Sequence, residues 1–324
     1  MPKIFVTRKI PTKGIDLLKA QGYDIDISGK DGVLTREEFL KVLKSEKYDA
    51  VLCLLTDKID REVFEATPNT KIFANYAVGF DNIDLVEAKK RGIVISNTPE
   101  VLTDAVAEFA MTLILTVAKR VIEADTFTKA GKYEGWAPEL LLGNELKGKT
   151  LGVVGTGRIG SRVIHHAVRG FDMNVIYYDV AENKQIEKDY GAVYMDKVDD
   201  VLKNADVVSI HVPLLDSTRH LINKEKLMLM KKKAVLINTS RGPVIDEKAL
   251  VEVLKSGHLR GVGLDVFEFE PKLAEGLKDL PNVVLTPHIA SATEEARDAM
   301  SEIAAKNIIA VLSGGEALNP VEAK

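Results

Sequence analysis

Cysteine is almost absent: a chain of 324 residues carries one, Cys53. A single thiol excludes an internal disulfide and any cysteine-based metal cluster. Its neighbours Val51, Leu52, Leu54 and Leu55 mark it as a buried strand residue. Tryptophan is also single, at Trp136, and the six histidines include no H-E-x-x-H or similarly spaced ligand set, so no catalytic metal is expected. No apolar run approaches the roughly 18 residues of a membrane span, and the N-terminus lacks the long apolar stretch of a signal peptide. The expected compartment is therefore the cytoplasm. Neither charge dominates: 44 Lys and Arg against 48 Asp and Glu leave a formal net charge of -4, which argues against nucleic acid or an anionic membrane as a partner. An acidic ligand would have to be held by locally placed Arg, Lys or backbone N–H groups. Internal repeats and low-complexity linkers are missing too.

What the chain does have is a near-continuous alternation of short β-rich runs and amphipathic stretches, the pattern of α/β architecture with parallel sheets. In the first third, strands are expected at 3–7, 50–55, 72–75 and 93–97, with helices at 12–20 and 37–44 and a helical turn at 61–65. The run 50–55 shows no polar alternation, as in a strand covered on both faces. After Thr98-Pro99, apolar residues from Val101 to Val117 recur at helical spacing, with Thr98 read as N-cap and Pro99 as first helical residue. That apolar face is wide enough to read both as a central packing helix and as a subunit interface. A second series has strands at 150–154, 174–178, 207–211, 234–238, 261–265 and 283–286. Its helices fall at 159–168, 198–202, 224–229 and 247–256, and a last helix at 293–312 follows Pro287.

Gly155-Thr156-Gly157-Arg158-Ile159-Gly160 directly follows the strand 150–154 and opens a helix, the context that a dinucleotide fingerprint requires. Gly155 permits the tight turn, Gly157 lets backbone approach a pyrophosphate, and Gly160 lets helix and strand pack closely. The helix N-terminus supplies donors and a positive dipole. Asp179 ends the next strand, about twenty positions on, where a carboxylate accepts from ribose hydroxyls and repels a 2′-phosphate. NAD is thus the expected cofactor. The proline joints at 98–99 and 286–287 bracket a nucleotide-binding domain, residues 99–287, whose segment from about 99 to 145 would serve as dimerisation helix and arm. This domain is inserted into a second one made of 1–98 and 288–324, both being doubly wound parallel-sheet units.

Further stretches extend the pattern. They are Tyr76-Ala77-Val78-Gly79-Phe80-Asp81-Asn82-Ile83-Asp84, His211-Val212-Pro213-Leu214, Asn238-Thr239-Ser240-Arg241-Gly242, Leu264-Asp265-Val266-Phe267-Glu268-Phe269-Glu270-Pro271 and Thr286-Pro287-His288-Ile289-Ala290-Ser291-Ala292-Thr293. With the glycine motif, these resemble the D-isomer-specific 2-hydroxyacid dehydrogenases, and among them most the glyoxylate/hydroxypyruvate reductases, over nearly the whole chain. The resemblance implies NADH-dependent reduction of a small 2-oxo acid by a homodimer, with Arg241, Glu270 and His288 as the catalytic set. Chemistry supports each member. Histidine, with an ordinary pKa near ~6.5, exchanges a proton at neutral pH. A carboxylate beside it favours the protonated ring. The arginine fork holds a carboxylate and polarises a carbonyl. The resemblance also places His211, Val212, Pro213, Thr218, Thr239, Ser240, Arg241, Asp265, His288, Ala290 and Ser291 at the cofactor. It assigns Leu54, Ala77, Val78, Gly79 and Trp136 to the substrate side, with the 77–79 backbone cradling the carboxylate. Trp136 reads equally as an aromatic reaching into a partner's site and as an interface anchor.

A different class remains open, because the same fold serves as an NAD-sensing co-repressor; the absence of interaction tails and of a basic patch speaks against it. D-3-phosphoglycerate and D-lactate dehydrogenases are the alternatives among enzymes.

Overall fold

The structure, a computed structural model, describes residues 1–322; the last two residues of the expected substrate domain lie outside that range. The chain divides into two compact units, Met1–Leu102 with Ala292–Lys324, and Thr103–Ser291.

The first unit is a five-stranded parallel sheet of β1 (Lys3–Val6), β2 (Asp24–Ile27), β3 (Ala50–Cys53), β4 (Ile72–Asn75) and β5 (Val94–Ser96), in the order β2-β1-β3-β4-β5. The runs AVLC and IFAN of β3 and β4 are buried throughout, since helices cover both faces of a parallel sheet. Glu294–Leu312 returns to this unit after Thr293 caps it by accepting from the Ala296 N–H. It packs on Thr12–Ala20 so closely that a Cβ on Gly14 would lie 2.1 Å from the Ser301 carbonyl oxygen.

The second unit is a seven-stranded parallel sheet: β6 (Thr150–Val154), β7 (Asn174–Tyr178), β8 (Val193–Tyr194), β9 (Val207–Ile210), β10 (Val235–Asn238), β11 (Gly261–Leu264) and β12 (Val283–Leu285). Their order is β12-β11-β10-β9-β6-β7-β8, so the winding reverses between β6 and β9. In such a sheet the crevice beyond the C-terminal strand ends at the reversal is where ligands bind.

Two expectations change here. The long helix begins at Thr103, not Pro99. Glu100 takes a left-handed φ of 72°, the Val101 N–H turns back to the Pro99 carbonyl, and Thr98 is buried with its N–H on Ala77. Thr98 therefore caps nothing. Much of the wide apolar face is also used within the unit: Val106, Ala107, Ala110, Met111, Leu113, Ile114, Val117 and Ala118 are buried on a helix that packs against Arg158–Phe171 and strands β10 and β11, while Val101, Ala105 and Phe109 stay partly exposed. Several exposed large apolar side chains lie just beyond it, at Val121, Ile122, Tyr133, Trp136, Leu140 and Leu142. Among the described residues, no helix is long and apolar enough to cross a membrane.

Candidate active site

The glycine turn leaves β6 at the reversal point, and its three glycines have three different reasons. Gly155 has φ 94°, and a Cβ there would lie 2.8 Å from the His211 backbone at the end of β9. A Cβ on Gly160 would lie 2.0 Å from the Gly155 carbonyl oxygen, so the helix Arg158–Phe171 approaches the strand only without a side chain. Around Gly157, by contrast, a Cβ would meet nothing within 4 Å. Open space above the N-terminus of a 14-residue helix fits a pyrophosphate on the N–H groups of its first turn. Ile159 is half-buried in that turn, and Arg158 is exposed there.

Asp179 follows β7. Its Oδ2 accepts from the Thr156 N–H at 2.6 Å and hydroxyl at 3.0 Å, and its Oδ1 from the Val180 N–H at 2.7 Å. Thr156 therefore spends its N–H on Asp179, and the acidic residue shapes the turn. Asn183 and Ser161, absent from the expected set, both donate to the Thr156 carbonyl. Across the reversal, the His211 ring lies against Ser209 Oγ at 2.8 Å, and burial pushes its pKa down to about 4. At neutral pH the ring is uncharged. Val212 and Pro213 continue into a turn that Thr218 ties, its hydroxyl donating to Pro213 and accepting from the Leu215 N–H.

The remaining members leave β10, β11 and β12 at the same sheet edge. After β10, Asn238 accepts from Ser240 and donates to the Arg241 carbonyl, folding Thr239, Ser240 and Arg241 into a tight turn. The Thr239 hydroxyl is buried there with no hydrogen-bond partner in the protein. After β11, Asp265 is fully buried. Its carboxylate accepts from Thr286 Oγ1 at 2.6 Å, the Ile289 N–H at 2.9 Å and the Ala290 N–H at 2.7 Å. Expected among the cofactor contacts, Asp265 in this conformation pins the loop that follows β12. That loop carries His288 at φ 56°, left-handed for a non-glycine residue, with Ala290 buried and Ser291 half-buried behind it.

His288 Nδ1 faces Glu270 Oε2 at 3.1 Å. Burial alone would raise the Glu270 pKa. The hydrogen bond and charge of His288, the Phe267 N–H at 3.0 Å and the Arg241 charge outweigh it, and the pKa lies below the ordinary glutamate range. With Nδ1 engaged, Nε2 is the atom left to exchange a proton with a ligand. Arg241, Glu270 and His288 thus gather at one edge of one sheet.

In the first unit, the 77–79 loop follows β4. Its carbonyls are held by the chain: Ala77 by the Thr98 N–H, Val78 by Asn97 Nδ2 and Gly79 by Asn75 Nδ2, at 2.8–2.9 Å. Because a trans peptide points N–H opposite to C=O, the N–H groups of Val78, Gly79 and Phe80 face the other way. The Ala77 N–H is used by the Asn75 carbonyl. Asn82 joins this loop to Leu54 and Asp57 by donating to both carbonyls. These asparagines carry no signature that spacing or periodicity registers. Trp136 is the most exposed large residue of its segment, at 84%.

Residues 111–290 match the family model for the D-isomer specific 2-hydroxyacid dehydrogenase, NAD binding domain. A glyoxylate reductase of Thermococcus litoralis is 49% identical over 97% of this chain and 94% of its own length. A solved structure of a Thermus thermophilus protein superposes with TM-score 0.92 at 41% identity, covering 98% of this chain and 99% of that one. An NADPH-dependent glyoxylate/hydroxypyruvate reductase of Sinorhizobium meliloti, solved with NADP and malonate, gives TM-score 0.85 at 33% identity, over 99% and 96%. The chain belongs to the D-isomer specific 2-hydroxyacid dehydrogenases, and Thr103–Ser291 contains their NAD-binding domain.

Proposed function

We propose that this protein reduces glyoxylate, or a close 2-oxo acid such as hydroxypyruvate, to the 2-hydroxy acid with NADH, in the cytoplasm and as a homodimer. The observation that carries the reading is the Glu270–His288 pair, 3.1 Å apart beside Arg241 at the ligand-binding edge of a dinucleotide-type sheet. When bound, the nicotinamide supplies a hydride to the carbonyl carbon. The carbonyl oxygen then takes a proton, which His288 as imidazolium gives from Nε2 and later regains from solvent. Glu270 holds that ring by its Nδ1. Arg241 offers its guanidinium to the substrate carboxylate, and the N–H groups of Val78 and Gly79 suit an anion of the same kind. NADH is favoured over NADPH because Asp179 sets a negative charge where a 2′-phosphate would sit. Homodimer formation is supported by the exposed Val121, Ile122, Tyr133, Trp136 and Leu142, five apolar side chains within residues 121–142.

The test is turnover of purified protein with NADH against glyoxylate, hydroxypyruvate, pyruvate and 3-phosphohydroxypyruvate, with each variant of the catalytic set. Glyoxylate or hydroxypyruvate should give the highest kcat/KM. Binding of NADH with no turnover of any of the four would overturn the proposal in favour of a sensing role.

A further inference from the structure

Glu270 reaches His288 from a short segment, 267–270, whose own support is unusual. Glu268 is a charged residue with a side chain only 8% exposed. Its Oε2 accepts from the Glu247 N–H at 3.1 Å, and its own N–H donates to Glu247 Oε1 at 2.8 Å, so the two glutamates clamp each other's backbone. Glu268 Oε1 meets His220 Nε2 at 2.7 Å. His220 sits at φ 49°, donates its N–H to the Pro243 carbonyl, and is followed by a bridge between Ile222 and Ile245. Pro243 belongs to the turn that leaves Arg241. Between them, Gly242 lies so close to the segment that a Cβ would fall 1.8 Å from the Phe267 carbonyl carbon and 2.4 Å from the Glu268 nitrogen. The segments carrying His220 and Glu247 therefore meet on one buried carboxylate, and the turn that leaves Arg241 packs on the backbone beside it.

We propose that Glu268, braced by His220 and Glu247, is a positioning residue for the reaction: it fixes the Glu270 carboxylate against His288 and keeps it in register with Arg241. This rests on the reading of Glu270 and His288 as the proton-transfer pair. Its physical basis is the cost of an unheld backbone. Phe267 donates its N–H to Glu270 Oε1, so a shift of the segment moves the carboxylate it carries. A displacement of about 1 Å at such a group can lower a rate by roughly 10²-fold. The ionisable groups facing this arrangement are few. Glu247 is buried, its pKa raised by that burial, and it feels the charges of Glu268 and Glu270. His220 caps Glu268 from its exposed side, and Arg241 and His288 face Glu270.

The experiment compares pH profiles of kcat for NADH-dependent reduction of glyoxylate in wild type, Glu268→Ala, Glu268→Gln and Glu270→Gln. Glu268→Ala should lose on the order of tenfold in kcat and lose activity at lower pH than wild type, in the direction of Glu270→Gln, with KM for NADH within about twofold. Glu268→Gln keeps an acceptor for the Glu247 N–H and should recover most of both effects. Should Glu268→Ala fail to fold, His220→Ala, which removes a ring 41% exposed, should show the same limb shift in smaller measure. A limb for Glu268→Ala, or for His220→Ala in its place, that superposes on wild type while that of Glu270→Gln moves overturns the positioning role alone. If the Glu270→Gln limb stays in place as well, the proton-transfer pair itself is misassigned and the inference falls with it.

Discussion

Replacing Asp265 by asparagine removes one acceptor and adds a donor at a point where the fold supplies only donors. Thr286 Oγ1 and the Ile289 N–H converge on one carboxylate oxygen, and the Ala290 N–H takes the other. Asparagine's best placement keeps its oxygen toward Thr286 and Ile289, which leaves its NH2 facing the Ala290 N–H. One buried donor is then unpaired, at about 1–3 kcal/mol, and two charge-assisted bonds become neutral, at about 1 kcal/mol each. Part of this is returned, because burial already raises the Asp265 pKa and a neutral group avoids that desolvation. A net loss of about 2–4 kcal/mol is expected, concentrated in the loop that carries His288.

The left-handed His288 backbone survives only while the loop is over-determined, so the loop should relax and the ring move off Glu270. Denaturant unfolding should show the stability loss, and steady-state reduction of glyoxylate should show kcat down by roughly 10²-fold with NADH binding largely kept. A variant with wild-type kcat but a raised KM for NADH would refute the reasoning, because Asp265 would then act on the cofactor rather than through the loop.

Glu270 has a folded pKa below its unfolded one, so its contribution to stability is present above the ordinary glutamate range and is lost as pH falls through the folded value. The Tm gap between wild type and Glu270→Gln should therefore close on acidification, and calorimetry showing it widen would reject the ion pair. Asp179→Ser should narrow the kcat/KM preference for NADH over NADPH by about 1–3 kcal/mol and raise KM for both, since the Thr156 N–H loses its acceptor; equal use of both cofactors by the unmodified protein would sink the assignment. Gly157→Ala should fold normally yet bind NADH poorly, whereas Gly160→Ala should be strongly destabilised by contact with the Gly155 carbonyl, and thermal melts of the pair check both. Arg241→Ala should raise KM for the oxo acid more than KM for NADH, and the reverse ranking would place the guanidinium elsewhere.

Most strands are legible because a parallel strand buried on both faces needs a run of apolar residues, and such runs punctuate the chain. The elements that stay hidden have no such run. Asp24–Ile27 forms the edge strand with two acidic residues in four, and Val121–Lys129 is a helix without a single buried residue, so neither carries the periodicity that betrays an element. The start of the helix at Thr103 is hidden for a related reason. Threonine followed by proline fits an N-terminal cap, but Thr98 gives its N–H to the Ala77 carbonyl and Glu100 takes a left-handed turn, neither of which local propensity records.

The site divides along the same line. Gly155, Gly157 and Gly160 stand out by residue type and spacing, whereas Arg241, Glu270 and His288 are candidates that the family resemblance implies and that their chemistry supports. Their supports are different: Asn75, Asn97, Asn183, Glu247 and Glu268 act through hydrogen bonds to a backbone brought near by folding. Asparagine and glutamate in those roles look like the surface polar residues that surround them in the sequence. Asp265 shows how far this reaches. The resemblance places it among the cofactor contacts, and its full burial with three protein donors shows that it also braces the loop bearing His288. Position along a strand thus tells which edge a residue serves, and only the disposition of donors and acceptors tells whether it serves the ligand or the group that meets the ligand.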